Sequence, residues 1–243
     1  MPNWVTNQGY IELPDDASDE AKEVFSKLVA NESTEGWFSN VLPCPQEMNL
    51  GIASTSANQE ILDAKWLRKH SKFKGRFGTF KEVDYNGKPR REFKPTKKYL
   101  EYLTEEFGAT NWLNWNCDNY GTKWDVKLGS TNTFNNRFEF DFDSAWHPPK
   151  NFFKWLSKHG IDFELNYEEP GSQFYGTYSC KNGKLVDDHF EGEDYLIYAI
   201  DSLDQEPESV LNLSEYSSFK EFKEATGYKK KYILNLARDY YAD

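Results

Sequence analysis

Residues 137–180 read RFEFDFDSAWHPPKNFFKWLSKHGIDFELNYEEPGSQFYGTYSC, and the changes of period inside this stretch decide the fold. Phe138, Phe140 and Phe142 alternate with Glu139, Asp141 and Asp143, the period of a strand with one buried and one solvated face. After Asp143 the period lengthens. Pro148-Pro149 suits a helix start, where the missing N–H donor is not needed, and Phe152, Phe153, Leu156 and Lys158 follow at mostly helical spacing, so a helix of about ten residues is expected before Gly160. Ile161, Phe163, Leu165 and Tyr167 then alternate with Asp162, Glu164, Asn166 and Glu168 as a second strand. Pro170-Gly171 turns the chain, and Phe174, Gly176, Tyr178 and Cys180 return it as a hairpin. Strand, helix and strand of this length make half of a split βαβ unit. Trp124, Val126 and Leu128 predict one more strand ahead of it.

Moving outward, residues 2–13 have strand composition, and Ser18 is an N-cap for a helix with Ala21, Val24, Phe25, Leu28 and Val29 on one face. Residues 37–42 are expected as a short second strand, ended by Pro43-Cys44-Pro45, and residues 54–58 as a loop. Residues 59–108 interrupt the strand-rich pattern. Ile61, Leu62, Ala64, Trp66 and Leu67 predict a helix, residues 77–93 a hairpin turning at Asn86-Gly87, and Tyr99, Leu100, Leu103 and Phe107 a second helix ending at Gly108. Residues 181–213 are acidic and read as mostly irregular, with residues 195–200 an edge strand; helices over 218–226 and 229–240 close the chain. The expected class is α+β: a ferredoxin-like antiparallel sheet with helices on one face, a helix/hairpin/helix insertion and a helical C-terminal tail. Residues 1–48 and 109–182 would form a discontinuous core, 49–108 a basic insertion, and 183–243 an acidic segment with the last helices.

Aromatic residues make up 17% of the chain while the mean hydropathy is only -0.84, so large rings must carry much of the burial. Cys44, Cys117 and Cys180 are an odd set without Cys-x-x-Cys spacing, which suggests neither a disulfide framework nor a zinc ribbon and points to the reducing cytoplasm. No apolar run resembles a signal peptide or a membrane span. Charge is uneven: the net value is -11, yet residues 65–98 carry 13 Lys/Arg against 3 Asp/Glu and the rest of the chain is -21. Residues 187–208 hold nine Asp/Glu and no Lys/Arg.

Five motifs then stand in order: Met1-Pro2-Asn3-Trp4; Leu42-Pro43-Cys44-Pro45; Trp112-x-x-Trp115-x-x-x-Asn119-Tyr120-Gly121-Thr122-Lys123-Trp124-Asp125; Phe142-Asp143-Ser144-Ala145-Trp146-x-Pro148-Pro149; and Tyr167-x-Glu169-Pro170-Gly171. Together they resemble the YubB/Api92-like family of uncharacterised phage and plasmid proteins, over roughly the first 45 residues and 110–180. The resemblance implies a ferredoxin-like domain and a mobile-element origin, and no activity. Val5 stands where that pattern has cysteine, which weakens any metal or redox role at the N-terminus, and the insertion and C-terminal tail have no counterpart in it.

No Walker loop, Rossmann glycine pattern, HExxH or GxSxG occurs. Glu139, Asp141, Asp143 and Glu164 share strand parity and suit a metal or acid/base site, but Lys123 and Lys127 on an expected neighbouring strand favour a solvated face with cross-strand charge pairs. Cys44, Cys117, Cys180 and His147 lack zinc-ligand spacing, so neither a metal nor a cofactor is expected. Trp112, Trp115 and Trp146, with Asn119, Thr122, Lys123, His147 and Glu169, are the candidate lining of a ligand pocket, against the plainer reading of the rings as core. Lys72, Lys74, Arg76, Lys81, Lys88, Arg90, Arg91 and Lys94 interleave with Phe73, Phe77, Phe80 and Phe93, a mixture able to contact phosphates and stack bases. The acidic body opposes nucleic acid, and docking of this patch on acidic protein surface, its own or a second copy's in a homo-oligomer, competes with that reading. The expectation is a non-catalytic protein of the bacterial cytoplasm that captures or inhibits a host protein, with host defence one candidate target, through acidic surface. A small-molecule binder or enzyme with a Trp-lined pocket is the alternative, as is a nucleic-acid binder acting through the basic insertion.

Overall fold

The computed structural model describes residues 3–32, 35–51, 57–86 and 88–242; Met1, Pro2, Gly87 and residues 54–56 of the expected loop lie outside the described residues, as do the side chains of 57–62, 85 and 88–91. Period two produces β1 (Trp4–Glu12), which buries Val5, Asn7 and Ile11 and turns Trp4, Thr6 and Gln8 to solvent. Ser18 then caps α1 (Asp19–Ala30), its hydroxyl accepting from the Ala21 N–H at 3.1 Å, and α1 buries Ala21, Val24, Phe25 and Leu28. Further on come β4 (Thr131–Phe134), β5 (Arg137–Ala145), α5 (Lys150–Lys158) and β6 (Asp162–Glu169), followed by β7 (Phe174–Lys181) and β8 (Lys184–Glu191). These strands form one six-stranded antiparallel sheet in the order β4-β5-β1-β6-β7-β8. Counting only β1, β4, β5 and β6, the order is second, third, first, fourth, with α1 and α5 as crossovers on one face: a ferredoxin-like α+β fold, extended by β7 and β8.

The covered face is an aromatic layer. Phe138, Phe140 and Phe142 of β5, Phe163, Leu165 and Tyr167 of β6, and Phe152, Phe153 and Leu156 of α5 are all buried. Trp37 sits fully buried among them, its ring 4.9 Å from Phe140, 5.9 Å from Phe152 and 6.1 Å from both Phe138 and Phe142, while its Nε1 donates to the Leu28 carbonyl at 3.2 Å. Gly9 in the central strand answers to close approach, since a Cβ there would stand 2.0 Å from the Glu164 carbonyl oxygen.

Residues 57–107 form α2 (Ala57–His70), a separate hairpin of β2 (Gly78–Tyr85) and β3 (Lys88–Pro95), and α3 (Lys97–Phe107), capped by Thr96 and closed by left-handed Gly108. Leu67, Phe73, Phe77, Phe93, Tyr99 and Leu103 from this segment join the same apolar cluster as the sheet core. A second cluster gathers Tyr195, Leu196, Phe222, Ile233 and neighbours from α6 (Glu193–Ser202), α8 (Phe219–Thr226) and α9 (Lys231–Tyr240). The short α7 (Pro207–Val210) precedes α8. Tyr175 of β7 ties this cluster to the sheet by stacking on Tyr198 at 4.0 Å.

Four expectations are corrected. Residues 37–42 are not a strand: Phe38–Asn40 is a 3-10 turn, because the Asp125 carboxylate accepts from the Phe38 and Ser39 N–H groups at 2.8 and 2.9 Å. Residues 124–128 are irregular, since the Val126 carbonyl accepts from Gly36 and Trp37 rather than from a neighbouring strand; Thr131–Phe134 is the strand that pairs with β5. Residues 184–191, read as irregular, are β8. Residues 195–200 are helical, because Tyr195, Leu196, Ala199 and Ile200 recur at the spacing of one helix face, and all four are buried. The structure adds α4 (Trp112–Asn119), capped by the Asn111 side chain accepting from the Asn114 N–H at 3.0 Å, where no helix was expected; Ala57 and Asn58, read as loop, begin α2.

Candidate functional site

The second face of the sheet follows from the same alternation. Register places Tyr10 between Glu139 and Glu164, Gln8 between Asp141 and Asn166, and Thr6 between Asp143 and Glu168. On an antiparallel sheet such residues stand side by side across strands about 4.8 Å apart, so Glu139, Asp141, Asp143, Glu164 and Glu168 share one surface. A groove over it is lined by Gln8, Tyr10, Asn132, Arg137, Glu139 and Glu164, among others, and a neighbouring groove by Trp4, Thr6, Lys127 and Asp143; Asp141 borders both.

The lysines expected to balance this face form no ion pair with its carboxylates among the described residues, because residues 123–128 are a loop rather than a strand. Lys127 pairs with Glu35 at 3.8 Å, and Lys123 lies over tryptophan rings. Arg137 pairs with Glu139 at 3.1 Å and stacks on Tyr10 at 3.5 Å. Asp141 instead accepts from the Ser130 N–H at 2.9 Å, Asp143 from the Thr6 hydroxyl at 3.2 Å, Glu164 from the Asn166 amide at 3.3 Å and Glu168 from the Tyr195 hydroxyl at 3.2 Å. Among the described residues these four carboxylates make no ion pair.

At the end of this face three tryptophans reach solvent: Trp4 is 49% exposed, and Trp124 and Trp146 are each 37% exposed. Trp4 lies 5.8 Å from Trp124, and the Lys123 Nζ stands 4.5 Å from the Trp124 ring and 4.6 Å from the Trp146 ring. Trp146 has φ of 76°, in the left-handed region. Its N–H donates to the Asn3 carbonyl at 2.9 Å, and the buried Thr122 hydroxyl donates to the Ala145 carbonyl at 2.7 Å. On the other side Ser144 donates to the His147 carbonyl at 2.8 Å and receives the Asn7 amide at 2.9 Å.

The residues proposed from sequence divide accordingly. Lys123 and Trp146 meet in this exposed group. Trp115 is buried edge-on against Tyr120 at 5.3 Å, Trp112 packs half-buried on the core, and Asn119 donates to the Trp115 carbonyl at 2.9 Å. His147 is exposed, and the Glu169 carboxylate is buried beneath its own turn, where the Gly171 and Ser172 N–H groups donate to it. Trp4 was missed; its signal is a large ring at a solvent-parity position of β1. In the basic segment, Lys72 pairs with Glu106, Lys74 donates to the Ser71 carbonyl at 3.0 Å and Arg76 to the Gly78 carbonyl at 3.1 Å. The side chains of Lys88, Arg90 and Arg91 lie outside the described residues, and Lys94 is exposed. Phe73, Phe77 and Phe93 are buried, so of the four phenylalanines only Phe80 presents a ring to solvent.

Burial pushes the Cys44 thiol up to about 12 and also raises Cys117 and Cys180. Asp125 is raised by burial, against the pull of the N–H groups that donate to it. Among the described residues no three His, Cys, Asp or Glu converge as a metal site, and no helix is long and apolar enough to cross a membrane.

Sheet order and crossovers define a ferredoxin-like domain. Residues 119–207 match the family model described as the ferredoxin-like domain in Api92-like protein. The solved structure of protein api92 from Yersinia pseudotuberculosis is similar at 11% identity, covering 79% of this chain and 98% of that chain, with a TM-score of 0.35. No curated protein matches.

Proposed function

We propose that the protein is a non-catalytic binding protein that captures a basic host protein on the open face of its sheet, as an accessory factor of a phage or plasmid acting in the host cytoplasm. One observation carries the reading: Asp141, Asp143 and Glu164 line one open sheet surface and, among the described residues, make no ion pair. Unpaired carboxylates in rows set a negative potential that draws a lysine- and arginine-rich surface, and they suit a host protein whose usual ligand is nucleic acid. Exposed tryptophans at the rim supply the aromatic anchors on which protein interfaces concentrate their energy.

The test compares wild type with an Asp141→Asn/Asp143→Asn/Glu164→Gln variant, each immobilised and challenged with host lysate at low and physiological salt. The expected result is a basic protein held by wild type, eluted by salt or by nucleic acid, and lost with the variant. Equal capture on both forms would sink the proposal.

A further inference from the structure

The exposed tryptophans go beyond a greasy rim. A bulky residue rarely adopts a left-handed backbone, yet Trp146 is held there by bonds on both sides: its own N–H to Asn3, Thr122 to the Ala145 carbonyl, and Ser144 to the His147 carbonyl. Ser144 is 1% exposed and Asn7, which donates to it, is 0% exposed, so the bend is anchored in the core. The effect is to leave the indole 37% exposed, although the preceding Ala145 is buried. Trp124, backed by Trp4, faces the same Lys123 ammonium from within 5 Å, as Trp146 does. Lys123 makes no ion pair among the described residues, so its contacts with these two rings stand in place of one. Two indoles on one ammonium is the arrangement by which proteins bind organic cations.

Building on the reading of a basic partner, we propose that Trp124 and Trp146, with Trp4 behind Trp124, form an aromatic cage for an arginine or lysine side chain of that partner, and that Lys123 occupies the cage in the free protein. The cage adjoins the acidic face through Trp4, which lines the same groove as Asp141 and Asp143. A partner cation enters by displacing Lys123, which swings to solvent. The cage then selects partners with a cation beside the basic surface that the carboxylates attract, and the resident lysine sets a threshold against weakly basic chains.

The experiment titrates an octaarginine peptide, an uncharged glycine–serine peptide and tetramethylammonium into five proteins, read by calorimetry and by tryptophan fluorescence. They are wild type, Lys123→Ser, Trp146→Gly, Lys127→Ser and the triple carboxylate variant. Lys127→Ser removes the same charge beside the same groove without touching the cage, so it measures the purely electrostatic gain. Glycine suits the backbone at position 146, and melting curves check that each variant folds; Trp124→Ser replaces Trp146→Gly if that variant melts early. Lys123→Ser should bind octaarginine roughly 2- to 30-fold more tightly than wild type, beyond the gain of Lys127→Ser, and Trp146→Gly should bind it more weakly by a similar factor. Lys123→Ser no tighter than Lys127→Ser, or Trp146→Gly unchanged, overturns the cage. So does tetramethylammonium binding as tightly as the peptide, which would make the site one for a small cation. If the cage variants behave as wild type while the triple variant loses the peptide, the cage fails and the acidic-face reading stands. Undiminished binding by the triple variant fails that reading itself.

Discussion

Along β5, Phe138, Phe140 and Phe142 enter a packed aromatic layer, while Glu139, Asp141 and Asp143, each one peptide unit away, face water. The same backbone thus serves two surfaces under opposite rules. On the covered face nearly every group is matched: rings fill the space between sheet and helices, and the single indole N–H of Trp37 finds the Leu28 carbonyl. On the open face, Asp141, Asp143 and Glu164 have hydrogen-bond donors but, among the described residues, no ion-pair partner, and Trp4, Trp124 and Trp146 meet solvent. A covered face is tuned for stability, and its removal costs the fold. An open face with unpaired charge and exposed rings contributes little to stability and is free to serve recognition.

The contrast is tested most severely at Trp37. Trp37→Ala should cost about 3–5 kcal/mol, because a fully buried indole leaves a cavity that its ring neighbours cannot close. Melting should fall by roughly 2–4 °C for each kcal/mol in a chain of this size. A variant melting like wild type would contradict the packing described here.

Cys44 probes the covered side through chemistry. With its thiol pushed up to about 12, alkylation by iodoacetamide at pH 8 should run on the order of 100- to 1,000-fold more slowly than in the denatured chain. The folded-state value lies above the ordinary one, so the protonated thiol contributes stability at neutral pH that is lost as pH rises toward 12. Mass spectrometry of the labelled peptide reads the rate; Cys44 labelled equally fast in both states would show that it is not sheltered.

A finer measurement is the coupling of Trp37 and Phe140, whose rings stand 4.9 Å apart. A double-mutant cycle to alanine should return about 0.5–1.5 kcal/mol of interaction. Additivity would mean that the two rings contribute independently.

The smallest effect belongs to the open face. Asp141→Asn, Asp143→Asn and Glu164→Gln should each change stability by no more than about 0.5 kcal/mol, with relief of like-charge repulsion offsetting the altered hydrogen bonds. A loss of several kcal/mol in urea titration would make these carboxylates structural and erase the distinction between the faces.

The local period of side chains was legible without coordinates. It marked β1, β5, β6, β7, α1, α3 and α5 because each buries one face, and burying one face forces a repeat of two or of 3.6 on the chain. β8 escaped because every one of its residues is exposed, so nothing imposes alternation, and β4 escaped for a similar reason. Residues 37–42 and 124–128 show the opposite failure. Their apolar residues read as strands, but the side chain of Asp125 and the Val126 carbonyl took the backbone donors that a sheet would have used. At the candidate site, Lys123 and Trp146 stood out as a polar and an aromatic residue close in sequence. That Trp4 joins them, and that Lys127 pairs with Glu35 although it borders the acidic face, depended on register and loop path. Periodicity is written residue by residue and survives in the sequence; which distant groups meet is fixed only when β1 slides between β5 and β6 and the loops close around them.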